Sequence, residues 1–330
     1  MKTSLIKKSI CSVTLLLSMQ SHAGAFSNLL ENVMATINPN AGINGPIYRQ
    51  KTKDKDGYGN ELTTILLEEA HRQGKRFLNE GNTQAYYAFI ALALTVPNQE
   101  GLLIHFREVK AKSNYCRDSR SLGDGISSNK AKKQFKMALN DRGLARDPNN
   151  GFLVPCSKLA GERVYRQLIV GGSDGSDVGI MQLSALWHYE EFLKEVKYAS
   201  VRSTVRYGLS YIMRRFRKAF RDYEALGCFS KSTGEVDYKK IVRGSWSAYN
   251  GGPSQLCRFS DLQSAHKGKD KGFNENLTKT LALNNGGIFG FNQEGEIKLT
   301  GTVKSAVDEA ISNFENKTNN RIYLKSILGE

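Results

Sequence analysis

With 330 residues the chain is long enough for one substantial domain with appendages, and its formal net charge of +15 points to an anionic partner or surface. Its five cysteines include no CxxC pair and its five histidines no HExxH pattern, which argues against zinc ribbons, thioredoxin-type redox chemistry and zinc hydrolases. No metal or other cofactor is expected.

The chain opens with Lys2, Lys7 and Lys8, continues through an apolar stretch around Ile10 to Met19, and reaches small residues at Ser21, Ala23 and Ala25. This is the order of a secretory signal peptide, expected to occupy residues 1–23. The apolar part is too short for a transmembrane helix, which needs roughly 20 apolar residues. Cys11 lies within that stretch and not at its small-residue end, against a lipid attachment site. A soluble monomer exported to the periplasm or secreted, without a transmembrane anchor, is therefore expected. In that compartment the phosphates of a cell wall or anionic headgroups are nearer partners for a basic protein than nucleic acid, and no nucleic-acid partner is expected. Cys116, Cys156, Cys228 and Cys257 are expected to form disulfides there. Four cysteines admit three pairings; pairing in chain order would join Cys116 to Cys156 and Cys228 to Cys257.

Residues 24–60, with Pro39, Gly42, Gly45, Pro46 and a charged run from Lys51 to Asp56, read as an irregular lead-in. Apolar residues then recur at helical spacing over 61–79. Tyr86, Phe89, Ile90, Ala93 and Leu94 follow at i, i+3, i+4, i+7 and i+8, so two amphipathic helices are predicted. Val96-Pro97 interrupts this pattern. Pro97 suits the first position of a new helix, with Glu100 near its positive end and Leu102, Leu103 and Ile104 leading to Glu108.

Between 113 and 176 the texture changes to short helical pieces, clearest at 130–140, and to Gly/Asp/Ser-rich turns. This reads as an insertion pinned by Cys116 and Cys156. Its segment Gly171-Gly172-Ser173-Asp174-Gly175-Ser176 lacks the Lys of a phosphate-binding loop and reads as a groove rim. Helical patterning returns at 185–198, in a basic helix over about 201–225, and at 238–249, where Asn250-Gly251-Gly252-Pro253 is a strong stop. Beyond about 268 come an Asn/Gly-rich patch, strand-like pieces at 288–291 and 296–299, and a helix at 303–314.

Three segments, in this order, resemble the lysozyme-like superfamily of soluble lytic transglycosylases and goose-type lysozymes. The stretch from Val96-Pro97 to Arg107-Glu108 looks like the family helix that opens with Pro and closes on the catalytic Glu, with Asn114-Tyr115 following. Gly179-Ile180-Met181-Gln182 is similar to the Gly-Leu-Met-Gln motif, and Ser247-Ala248-Tyr249-Asn250-Gly251-Gly252-Pro253 to Ala-Tyr-Asn-Ala-Gly-Pro. The resemblance implies a mainly α fold: a lysozyme-like helical domain at 61–265 with an inserted disulfide-pinned lobe at about 113–176, and a small mixed C-terminal extension at 266–330. It implies cleavage of peptidoglycan glycan strands, with Glu108 as acid/base, Tyr249 orienting it, and Gly179, Met181, Gln182 and Asn250 lining the saccharide subsites.

Protonating a poorly leaving alkoxide oxygen requires a carboxylic acid that keeps its proton near neutral pH, which desolvation supplies. Glu100 is the competing candidate. Its place three residues after Pro97 makes it a helix N-terminal acid, favourable by about 0.3 to 1 kcal/mol, and leaves Glu108 as the choice. Val109 departs from the Ser usual after the family's Glu. An inverting hydrolase needs a second carboxylate, for which Asp124, Asp174 and Asp177 stand as candidates; a lytic transglycosylase, forming a 1,6-anhydro product, needs none. Transglycosylation is expected, with hydrolysis as the same-fold alternative and a non-catalytic wall-binding scaffold as the other.

Overall fold

Residues 83–99 contain no charged side chain, so a helix built from them has no face that prefers water and must be enclosed by others. The computed structural model describes residues 55–100, 105–110, 157–158, 164–168, 170–171, 177–185, 187–193, 195, 197–281, 301–324 and 327. Most of them are helical. Helix α1 (Lys55–Asn79) begins within the expected lead-in and turns at Gly81, whose φ of +72° suits glycine, into α2 (Thr83–Glu100). Asn82 caps α2 by accepting the Ala85 N–H at 2.9 Å.

From Ala85 to Asn98 every α2 residue except Tyr87 is buried. The predicted amphipathic stripe is thus one side of a helix enclosed all round. Nor does the chain break at Val96-Pro97. Pro97 lies inside α2, three residues before its end. Its missing N–H costs about 3 kcal/mol in a helix interior. Burial of Val96 and the Pro97 ring, and the position in the last turn, offset that loss.

After α2 come short strands. β1 (Phe106–Lys110), β2 (Ser157–Lys158) and β3 (Val164–Leu168) form an antiparallel sheet in the order β1-β3-β2, with Glu108 opposite Arg166. β4 (Val170–Gly171), β5 (Asp177–Val178) and β6 (Leu183–Ser184) form a second, in that order. The helix expected to run from Pro97 to Glu108 is therefore corrected to the end of α2 followed by a strand. Helix was also expected over 185–198, where the chain instead makes a π-helical turn at Tyr189–Leu193 and a 3-10 turn at Lys197–Ala199. These turns bury Tyr189, Phe192 and Tyr198 while Glu190 and Glu191 stay exposed.

Helix α3 (Val201–Arg221) is capped by Ser200, whose Oγ accepts the Ser203 N–H, and turns Val205, Leu209, Ile212 and Phe216 into the core. Its basic face is not wholly solvated. Arg206 and Arg202, with Arg72 of α1, converge on the buried Glu69 carboxylate at 2.8 to 3.3 Å. Burial pushes that carboxyl up, but the hydrogen bonds from Arg206 and Arg72 outweigh it and hold Glu69 below its ordinary range.

Helix α4 (Tyr238–Gly251) starts at the Asp237 cap and stops at Gly252, φ +96°, before Pro253, as its sequence predicts. The Cys228–Cys257 disulfide brackets it, as pairing in chain order would have it. Cys116 and Cys156 lie outside the described residues, as do the signal segment, the helix expected at 130–140 and the strand-like pieces at 288–291 and 296–299. Two further helices complete the core. α5 (Lys267–Leu281), not anticipated, lays Phe273, Leu277 and Leu281 into it beside α2, and α6 (Gly301–Thr318) packs on α1 through Val307 and Phe314. Among the described residues, no helix is long and apolar enough to cross a membrane.

Candidate active site

The end of α2, the turn between β5 and β6, and the end of α4 meet around a cleft of about 740 Å³, lined among others by Glu100, Asp177, Gln182, Tyr249 and Asn250. Glu100 is the last residue of α2, partly open to the cleft and otherwise enclosed by protein. The indole Nε1–H of Trp246, on α4, donates to its Oε1 at 2.5 Å. Trp246 is itself buried and stacked on Phe273, with ring centroids 4.6 Å apart and planes within 6°.

Burial pushes the Glu100 carboxyl up to about 7, against the lowering effects of the Trp246 hydrogen bond and the charges of Lys269 and Arg258. The C-terminal end of a helix is also its negative end and disfavours a carboxylate further. Glu100 thus sits at the end of a helix opposite to the one its place after Pro97 suggests, and the dipole acts on it with the reverse sign. A carboxyl poised near neutrality can both deliver and retrieve a proton.

Tyr249 donates its hydroxyl to the Met181 carbonyl at 2.5 Å. Burial, then the negative charges of Glu100 and Asp177, raise its phenol well above the ordinary range, so it remains a neutral donor. Its hydrogen-bond partner is therefore the backbone of the opposite wall, and its link to Glu100 is electrostatic. The wall it grips has strict local requirements. Gly179 has φ +71°, and a Cβ there would sit 2.5 Å from the His105 ring. His105, buried, accepts the Ile180 N–H on Nδ1 at 3.0 Å, which leaves Nε2–H to donate to the Tyr198 carbonyl at 2.8 Å. Gln182, at φ +45°, donates both its backbone N–H and its side-chain amide to the Gly179 carbonyl, at 3.0 and 2.8 Å. Met181, expected to line the saccharide subsites, is fully buried and supports the wall from behind. Its side chain fills the space left by Gly208 on α3, where a Cβ would sit 2.8 Å from Met181 Cε.

On the lip, Trp187 is 81% exposed. Beside it, Tyr207 O–H donates to Glu191 Oε2 at 3.2 Å, so its oxygen accepts the Nδ1–H of His188 at 2.9 Å. Burial pushes His188 down to about 4, keeping it neutral at physiological pH. Of the three candidates for a second carboxylate, Asp177 lines the cleft, and Asp124 and Asp174 lie outside the described residues. Glu108 occupies the middle of β1, so the premise for its role, a position at the end of an apolar helix, is met by Glu100 instead. The sequence signal for this site is Trp246, which lies one helical turn before Tyr249 on the same side of α4. Among the described residues, no group of three or more His, Cys, Asp or Glu side chains could hold a metal ion.

No protein-family model matches the chain, and no curated protein and no solved structure shows a significant similarity to it.

Proposed function

We propose that the protein is an exported enzyme that cleaves the β-1,4 glycosidic bond between N-acetylmuramic acid and N-acetylglucosamine in peptidoglycan, with Glu100 as its acid/base. The observation that carries this reading is a single one: a carboxyl held near pKa 7 in a cleft shared with Gln182, Tyr249 and Asn250, the residues in which the chain resembles lytic transglycosylases and goose-type lysozymes. Support also comes from Trp187, whose exposed ring gives the cleft a flat apolar platform of the kind a pyranose face packs on. The strongly basic composition suits an anionic wall.

In this reading protonated Glu100 gives its proton to the glycosidic oxygen as the C–O bond breaks and an oxocarbenium-like centre forms. The resulting carboxylate then takes a proton from the sugar's own C6 hydroxyl, whose oxygen closes the 1,6-anhydro ring. Water attack is the second reading, and Asp177 in the cleft favours it, since a hydrolase needs a second carboxylate to activate water. Weighing the muropeptides released from purified peptidoglycan decides between them, because anhydro ends are lighter than reducing ends by one water. Binding without release of any fragment returns the protein to the wall-binding scaffolds.

A further inference from the structure

Behind the indole that holds Glu100 lies a buried ion pair. Arg258, in the 3-10 turn after Cys257, and Asp270, on α5, have side chains only 3% and 4% exposed. Arg258 Nε donates to Asp270 Oδ2 at 2.9 Å and Nη2 to Oδ1 at 3.0 Å, while Ser247 of α4 donates its hydroxyl to the same Oδ1 at 2.6 Å. Desolvating two charges makes such a pair a poor source of stability, often no better than apolar side chains of the same volume. Its geometry suggests another use. The guanidinium has one nitrogen left over, and Nη1 donates to Asn250 Oδ1 at 3.3 Å. Its carbon lies 5.4 Å from the centroid of the Trp246 ring. Gly251 leaves the passage open: a Cβ there would sit 2.5 Å from Nη1.

We infer that Arg258, clamped by Asp270, is a positioning residue for the Glu100 carboxyl: one guanidinium holds both the Trp246 indole that donates to Glu100 and the Asn250 amide that lines the cleft beside it. This rests on the reading of Glu100 as the acid. A planar fork is required, because Nε and Nη2, the two donors of one edge, go to Asp270, Nη1 reaches Asn250, and the guanidinium carbon lies over the indole ring; an ammonium cannot make all of these contacts. The charged and titratable groups that act on Glu100 are Arg258, Lys269 of α5 and the Tyr249 phenol. Arg258 and Lys269 both act through charge, but only Arg258 touches the indole and the amide.

The chain contains two tryptophans, Trp187 and Trp246, so Trp187→Phe leaves Trp246 as the sole reporter beside the carboxyl. In that background the emission should titrate with a midpoint near the pKa of about 7, and Glu100→Gln should abolish the transition. Arg258→Lys keeps the charge and loses the fork. It is expected to move the midpoint upward by about half a unit, because the indole hydrogen bond that favours the carboxylate is loosened. It should also raise KM for wall fragments several-fold as Asn250 is released. Arg258→Met with Asp270→Asn, which leaves no buried charge unpaired, should move the midpoint further up, by about one unit. Lys269→Met controls for charge and should leave KM unchanged. The inference is overturned if folded Arg258→Lys protein keeps both the parental midpoint and the parental KM, or if the parent shows no Glu100-dependent transition. A shifted midpoint in a protein that cleaves no wall sinks the proposed activity and leaves the positioning role standing.

Discussion

Trp246 donates its indole N–H to the carboxyl of Glu100 across 146 residues of sequence, from the middle of α4 to the last residue of α2. The contact is possible because both helices pack in one core, with Trp246 braced on Phe273 of α5. It gives Glu100 one defined hydrogen bond in an otherwise desolvating site. Most of what the protein is proposed to do depends on that pairing.

Replacing Glu100 by Gln should lower wall cleavage by about 10² to 10⁴-fold, the usual worth of a general acid, with substrate binding retained. Glu108→Gln should keep near-parental turnover. Measuring muropeptide release for the two proteins side by side checks the assignment, and an inactive Glu108→Gln protein with active Glu100→Gln would reverse it.

Activity and stability should both change with pH through Glu100. Turnover should decline as pH rises through about 7 and the acid loses its proton. The folded-state pKa is raised from 4.5, so the folded chain holds this proton more tightly than the unfolded chain. Stability is therefore lost as pH rises from about 4.5 to about 7, by about 3 kcal/mol at most, and the loss is constant above that range. Glu68 and Glu69, whose pKa values are lowered, have the opposite slope, so the contribution is read as the difference between parent and Glu100→Gln in urea unfolding across this range.

Trp246→Phe keeps an aromatic ring against Phe273 but removes the donor to Glu100. The carboxylate form loses its hydrogen bond, so the alkaline limb of the activity profile should move to higher pH, with maximal turnover reduced roughly 10-fold by the freed carboxyl's disorder. An unchanged profile would show that the indole does not tune the acid.

Gly179→Ala should be costly for two separate reasons, the left-handed backbone and the collision of its Cβ with His105. A destabilisation of about 1 to 3 kcal/mol is expected, together with loss of activity as Gln182 and the Met181 carbonyl move. Thermal unfolding and wall digestion on one preparation test both effects. Trp187→Ala, by contrast, should leave the melting temperature unchanged, because its ring is exposed, and raise KM for glycan fragments several-fold.

Legible in the sequence alone were the helical character of the chain, the stop at Gly252-Pro253, and the motif segments that carry Gln182, Tyr249 and Asn250; the Cys228–Cys257 disulfide was one of several pairings it admitted. The first two follow from local chemistry, helical periodicity and a glycine's positive φ, and the segments from the resemblance of short motifs. Phe273, Leu277 and Leu281, spaced i, i+4 and i+8, also marked α5, but the polar composition around them hid it. That Glu100 shares a cleft with Tyr249 is set by long-range packing. Local rules read Pro97 as a helix start and so made Glu100 an initiating acid. Enclosure of α2 on all sides instead carries the helix through Pro97 and places Glu100 at its end, against Trp246. A backbone preference of a few kcal/mol gives way when continuing the helix keeps Val96, Pro97 and Asn98 buried, and desolvation at its end raises the pKa of Glu100 to about 7.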